Sequence, residues 1–82
     1  LHDALPILNG NTAIVVVTND RMQPVACLEL RKDQEQFTRL VQAKLFGNQC
    51  VANNRDINGA VLEWANKLKI EPCTIDVEAQ VS

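Results

Sequence analysis

The chain is poor in the residue types that most enzymes use at their reactive centres. Its 82 residues include one histidine, His2, with no tyrosine, two phenylalanines and one tryptophan. Because residues 8–82 contain no histidine, this segment can form neither a Ser/His/Asp nor a Cys/His arrangement, and most catalytic zinc sites lose their usual ligand. The sequence also lacks the G-x-G-x-x-G and Walker A patterns that bind phosphates. We therefore predict a protein that is not an enzyme and that binds no cofactor and no metal.

Charge and apolar runs are equally modest. Eight basic and ten acidic residues give a net charge of −2, which does not indicate a polyanionic or membrane partner. No apolar run approaches the roughly 18 residues that a transmembrane helix needs. Three cysteines, Cys27, Cys50 and Cys73, form no C-x-x-C motif, and their odd number argues against a closed disulfide framework. We expect structural thiols in a reducing compartment, and hence a cytoplasmic protein.

The chain start has an unusual composition. The first seven residues, Leu-His-Asp-Ala-Leu-Pro-Ile, resemble the in-frame translation of the end of a common DNA-sequencing adapter. We therefore expect residues 1–8 to be a non-native leader that packs poorly, and residues 9–82 to form one small domain. The same resemblance leaves open that the domain is a fragment of a longer protein.

Two extended segments follow the leader. Thr12–Thr18 is a run of mostly β-branched residues without polar alternation, which favours a strand buried on both faces. Pro24–Leu30 alternates and begins with proline, which suits the first position of a strand. Because about five residues link the two segments, we predict an antiparallel hairpin.

Two helices are predicted next. Helix A begins at Asp33, with Gln36 in the capping-box position, and ends at Gly47-Asn48. Its apolar residues recur at helical spacing: Phe37, Leu40, Val41 and Leu45. Helix B begins between Asn54 and Asn58 and ends before Pro72. Its apolar stripe is the clearest in the chain: Ile57, Val61, Trp64, Ala65 and Leu68. We expect Trp64 at the centre of the core, and we leave Gln49–Ala52 open between a short strand and a connection.

The last predicted element is a strand over residues 73–79. Cys73, Ile75 and Val77 alternate with polar residues, a pattern typical of an edge strand with one wet face. An open edge can pair with a strand of another protein. The candidate partner-binding residues are Thr74, Ile75, Asp76, Val77 and Glu78.

The element order is therefore β-β-α-(β)-α-β. We predict an α+β two-layer domain, with two helices on one face of a mostly antiparallel sheet of three to four strands. Dimerisation through helix B or the last strand would hide additional apolar surface.

A basic cluster around helix A supports a second hypothesis. Its members are Arg21, Arg31, Lys32, Arg39 and Lys44. These side chains could bind nucleic acid weakly, although acidic residues interleave with them and no exposed aromatic residue is expected to stack on bases.

Three functions remain open at this point. The first is a small non-enzymatic interaction or regulatory module that binds a protein partner or a second copy of itself. The second is a weak nucleic-acid-binding module that uses the basic cluster. The third is a fragment of a larger enzyme whose catalytic groups lie outside this segment.

Overall fold

The structure is a computed structural model that describes residues 3–9, 12–33 and 36–78. It is an α+β fold in which a sheet packs against one helix. The strands are β1 (Asp3–Asn9), β2 (Thr12–Thr18), β3 (Pro24–Asp33), β4 (Gln36–Leu45) and β5 (Glu71–Pro72). A short 3₁₀ helix (Val51–Asn53) precedes α1 (Arg55–Lys67). The predicted class is thus confirmed, but one of the two predicted helices is a strand.

The sheet is a meander with a short addition at one edge. Its strands lie in the order β1-β2-β3-β4-β5, and the first four are antiparallel to their neighbours. The two residues of β5 pair with β4 in parallel, which makes the sheet mixed. The predicted β2–β3 hairpin is confirmed. Its turn is organised by Asn19, whose side-chain oxygen accepts hydrogen bonds from the main-chain N–H groups of Arg21 (2.9 Å) and Gln23 (3.0 Å).

The core lies between the inner side of β2, β3 and β4 and the 3₁₀ helix with α1. Alternate residues of β2 and β3 are buried there, as the period of a strand requires. The largest fully buried side chains are Leu28, Leu40, Val51 and Val61. Trp64 packs against this cluster but is half-buried, so the prediction that it forms the centre of the core is wrong.

Helix A is not a helix, because its residues form β4. In the β3–β4 register Glu29 pairs with Gln42 while Leu30 pairs with Leu40, so Val41 is an extra residue. A second irregularity makes Thr38 an extra residue between the partners of Arg31 and Lys32. Each bulge shifts the alternation of side chains by one position. The residues that face α1 are therefore Phe37, Leu40, Ala43 and Leu45, partly at the spacing of three that a helix would show.

Helix B is confirmed as α1. Its N-cap is Asn54, whose side chain accepts a hydrogen bond from the N–H group of Ile57 at 3.1 Å. Val61 and Ala65 are buried against the sheet. Among the described residues, no helix combines the length and the apolar character that crossing a membrane requires.

Gln49–Ala52, which the sequence allows to be either a short strand or a connection, is mainly a connection. Cys50 forms one isolated antiparallel bridge with Lys44, and the 3₁₀ helix follows directly. Gly47 and Asn48, predicted to end a helix, have positive φ angles of 99° and 66° and reverse the chain after β4. The same left-handed conformations that end helices also close turns.

The strand predicted over residues 73–79 is wrong for its described part, 73–78. Here the main chain turns, and its polar groups bond locally or to side chains. The N–H group of Asp76 donates to the Thr74 hydroxyl (3.1 Å), and its carbonyl accepts from the N–H group of Ala52 (2.8 Å). The predicted alternation therefore fails, because Ile75 is 94% exposed whereas Val77 is buried. No open strand is formed by the candidate partner-binding residues Thr74, Ile75, Asp76, Val77 and Glu78.

β1, which includes residues 3–8 of the expected leader, pairs with β2 along its whole length. Pairing of the main chain does not decide how well these residues pack. The non-native origin of residues 1–8 stays a prediction.

Candidate functional site

The sheet face opposite α1 carries side chains that the core does not use. Because side chains alternate along a strand, the buried residues of β2 point towards α1, and Ile14 and Val16 point away from it. The register carries this face across β3 and β4. We define the outer face by the following residues: Ile14, Val16, Cys27, Glu29, Arg31, Arg39, Gln42 and Lys44. Within residues 3–9, 12–33 and 36–78 no helix lies over it, because α1 packs on the inner side.

The outer face is apolar at one side and charged at the other. Cross-strand neighbours form three rows: Val16, Cys27 and Lys44; Ile14, Glu29 and Gln42; Thr12, Arg31 and Arg39. Ile14, Val16 and Cys27 are half-buried, whereas Arg31 and Arg39 are exposed. The Arg31 Nε atom lies 4.0 Å from a Glu29 carboxylate oxygen, at the limit of an ion pair. Such an exposed pair adds little to stability but gives the face charges of both signs.

The predicted basic cluster does not form one patch. Arg31 and Arg39 are direct cross-strand neighbours on the outer face. Lys32 belongs to the inner side, where its ammonium lies 5.7 Å from the centre of the Phe37 ring. Arg21 is in the β2–β3 turn, at the opposite end of β3 from Arg31. Lys44 is bound to Asp76. The nucleic-acid hypothesis stays a prediction that rests on two arginines rather than on five basic residues.

Lys44, Cys50 and Asp76 form a compact polar cluster at the β4 edge. The Lys44 ammonium lies 2.9 Å from Asp76 Oδ1 and 3.4 Å from Cys50 Sγ. The Cys50 thiol donates to the same carboxylate oxygen at 3.3 Å. The three groups thus form a closed triangle, which we call the Lys44–Cys50–Asp76 cluster.

Three separate pieces of chain build this cluster. Lys44 is on β4, and the Gly47-Asn48 turn returns Cys50 to a position beside it. Asp76 comes from the turn that follows β5. The second oxygen of its carboxylate accepts the Ala43 N–H at 3.1 Å, so the side chain also caps a main-chain group at the β4 edge.

The charges in the cluster are matched. Burial alone would raise the pKa of Asp76, which is 7% exposed, but hydrogen bonds from Lys44, from the Ala43 N–H and from Cys50 outweigh it and hold the pKa below the ordinary value of 3.8. The hydrogen bonds to Asp76 and to Cys50 raise the pKa of Lys44 above 10.5. Both groups are therefore charged at neutral pH, and the Lys44 side chain still reaches solvent, with 29% of its surface exposed.

The sequence did not indicate this cluster. From sequence, Lys44 belongs to the basic cluster, Asp76 to the partner strand and Cys50 to the structural thiols. Asp76 lies 26 and 32 residues from its two partners, so no local spacing connects them. The one available signal is the Gly47-Asn48 turn between Lys44 and Cys50, which would place these two side by side if residues 36–45 were read as a strand.

A shallow depression on α1 is a weaker candidate. Its lining consists of Ala60, Glu63, Trp64 and Lys67, all from one helix. Among the described residues, no group of three or more histidine, cysteine, aspartate or glutamate side chains is placed to hold a metal ion. No protein-family model, curated protein or solved structure matches the chain.

Proposed function

We propose that this chain is a small non-enzymatic protein-interaction module and that the outer face is its binding surface. The observation that supports this most directly is the one-sided packing of the sheet. The inner side of β2 is buried under the core, whereas Ile14 and Val16 on the other side contribute nothing to that core. Apolar side chains grouped with charged neighbours on one surface are typical of protein interfaces.

The charge pattern of the outer face favours a second copy of this chain as the partner. A two-fold symmetric interface brings the same surface of both copies together, so each charge needs an opposite charge on the same face. Glu29 lies between the apolar residues of β2 and the arginines of the neighbouring row. Two copies packed face to face can set Glu29 of one copy against Arg39 of the other and cover Ile14 and Val16 at the centre.

The small size of the domain supports the same proposal. A chain of this length buries only about 60–65% of the surface that it exposes when unfolded, so its own core supplies modest stability. Covering the outer face would add apolar burial that one copy lacks. The free thiols of Cys27, Cys50 and Cys73 support the proposed cytoplasmic setting, where reducing conditions keep cysteines unpaired.

The test is sedimentation equilibrium of the wild-type chain, Ile14→Lys and Ile75→Lys over a wide concentration range. Both variants exchange isoleucine for lysine, but Ile14 is on the outer face and Ile75 is 94% exposed in the turn after β5. Glu29 lies directly opposite residue 14 and can accept the new lysine, so the monomer should still fold.

We expect reversible dimers of the wild type and of Ile75→Lys. Ile14→Lys should raise the dissociation constant at least about 100-fold, because each of the two copies loses an apolar contact of about 1.5–3 kcal/mol. A wild-type chain that stays monomeric throughout, or equal association of the two variants, would overturn the proposal.

A further inference from the structure

The Lys44–Cys50–Asp76 cluster brings a thiol and an amine within reach of one another. The Cys50 sulfur and the Lys44 nitrogen are 3.4 Å apart, and both contact the same Asp76 oxygen. Cys50 is half-buried and the Lys44 side chain is partly exposed, so a small oxidant can enter while the pair remains held together. The core does not use this arrangement of a nucleophilic sulfur beside a nitrogen, and Lys44 is the one member of the cluster that belongs to the outer face.

We propose that Cys50 and Lys44 form a site of covalent oxidative modification, in which a peroxide joins the Cys50 sulfur to the Lys44 nitrogen. In the first step the Cys50 sulfur attacks one peroxide oxygen. The O–O bond breaks, an S–O bond forms and water leaves, so that sulfur is oxidised by two electrons to a sulfenic acid and hydrogen peroxide is reduced.

In the second step the Lys44 amine attacks the sulfenic sulfur. The Lys44 ammonium first loses one proton to solvent, which its side chain reaches. The S–N bond forms, the S–O bond breaks, and the departing hydroxide takes a proton from the attacking nitrogen to become water. No second oxidant is needed. The product is a sulfenamide that thiol reductants can open again.

Two other cysteines of the chain provide internal controls. Cys27 is directly opposite Lys44 on β3, but the ammonium is bound on the other side, by Cys50 and Asp76. Cys73 is exposed and therefore more accessible to peroxide. If accessibility alone controlled the reaction, Cys73 would be modified first. If placement beside an amine controls crosslinking, only Cys50 should be joined to Lys44.

The experiment treats the full chain with hydrogen peroxide, removes the peroxide, and maps tryptic peptides by mass spectrometry without a reductant. Trypsin normally cuts after Lys44, releasing residues 40–44 and 45–55 as separate peptides, and it places Cys27 and Cys73 on others. The crosslink should leave residues 40–55 as one piece that has lost two hydrogens. Treatment with a thiol reductant should restore both cleavage and mass.

Lys44→Arg is the matched variant, because it keeps a cation for Asp76 but removes the nucleophilic amine. We expect complete loss of the crosslinked peptide in Lys44→Arg and in Cys50→Ser, and no loss in Cys27→Ser. The wild-type chain unfolded in urea should also lose the crosslink while its thiols are still oxidised, which shows that the folded geometry is required.

Two results would overturn the proposal. One is a Cys50 sulfenic acid that is trapped by a dione reagent in the folded wild type without any Lys44 adduct. The other is a crosslink whose yield is the same in the folded and unfolded chain, or one that joins Lys44 to Cys27.

Discussion

Neighbouring valines of β2 occupy two different environments. Val15 and Val17 are each 3% exposed against the core, whereas Val16 between them is half-buried on the outer face. The inner side of the sheet is packed by alanine, valine and leucine, and the outer face combines apolar residues with arginine, glutamate and lysine. The same strands thus place most of the folding free energy on one side and leave the other side free to carry charge and reactive groups.

The largest expected change in the free energy of unfolding comes from alanine substitutions at two adjacent valines of β2, one on each face of the sheet. Val15→Ala should lower the free energy of unfolding by about 2–3 kcal/mol, because it removes buried methyl groups and leaves a cavity. Val16→Ala should lower it by less than about 1 kcal/mol, since no core contact is lost. Urea denaturation of dilute protein, below any association, measures both. Equal losses would mean that the two faces contribute alike, and the comparison would fail.

The division between the faces also explains which elements the sequence could predict. β3 and α1 keep their ideal periods of two and 3.6, so their apolar residues indicate the correct element, whereas β2 is indicated by its β-branched composition. The expectation that β2 is buried on both faces is wrong, because Ile14 and Val16 are only half-buried. In β4 the extra residues Thr38 and Val41 offset that period, and its inward residues acquire helix-like spacing. A bulge is a property of the pair of strands, so it could not be read from β4 alone.

The Lys44–Cys50–Asp76 cluster cannot be predicted from the sequence for a related reason. Asp76 is buried through hydrogen bonds to the Ala43 N–H and to Lys44, both distant in sequence. An aspartate in an alternating segment indicates an exposed position when its partners are unknown. The thiol of Cys50 likewise acquires its neighbours only when the turn after β4 closes. Such side-chain contacts depend on tertiary packing, which residue spacing does not determine.

A smaller loss of stability is expected when Asn58, a buried polar residue on the inner side of the sheet, is replaced. Asn58 of α1 is 4% exposed, and its amide donates to the Glu78 carbonyl and accepts from the Glu78 N–H, both at 2.8 Å. These two bonds hold the end of the described chain against α1. Asn58→Ala should lower the free energy of unfolding by about 1–2 kcal/mol, because both main-chain groups lose their partner but can partly reach water.

Asn66→Ala is the control for that substitution. Asn66 is exposed on the same helix, so its loss should change stability by no more than about 0.5 kcal/mol. Chemical denaturation of the two variants side by side gives the comparison. If Asn58→Ala were as stable as Asn66→Ala, the paired hydrogen bonds to Glu78 would contribute nothing, and the inner side would be held by apolar packing alone.

The smallest expected effect on stability comes from the ion pair between Lys44 and Asp76. How this contribution changes with pH follows from the directions in which the two pKa values are shifted. The pKa of Asp76 in the folded chain lies below 3.8, because hydrogen bonds from Lys44, the Ala43 N–H and Cys50 together overcome the effect of burial. The unfolded chain then binds more protons near that pH, so the contribution of Asp76 is present above 3.8 and is lost as the pH falls through the lowered value. The raised pKa of Lys44 has the opposite consequence: its contribution is complete below 10.5 and is lost as the pH rises through the raised value.

The difference in unfolding free energy between wild type and Asp76→Asn, measured as a function of pH, isolates this pair from the other carboxyl groups. We expect a constant difference through the neutral range that shrinks at both the acid and the alkaline end. The effect should be smaller than that of Val15→Ala, because Lys44 remains in contact with solvent and an ion pair of this kind is partly screened. If the unfolding free energies of wild type and Asp76→Asn ran parallel through the acid range, the charge of Asp76 would contribute nothing to stability. The side chain would then act through its packing and its main-chain hydrogen bond. In that case the β4 edge would depend on packing alone, as the inner side of the sheet does. The two faces would then not differ in how much electrostatic interactions contribute to stability.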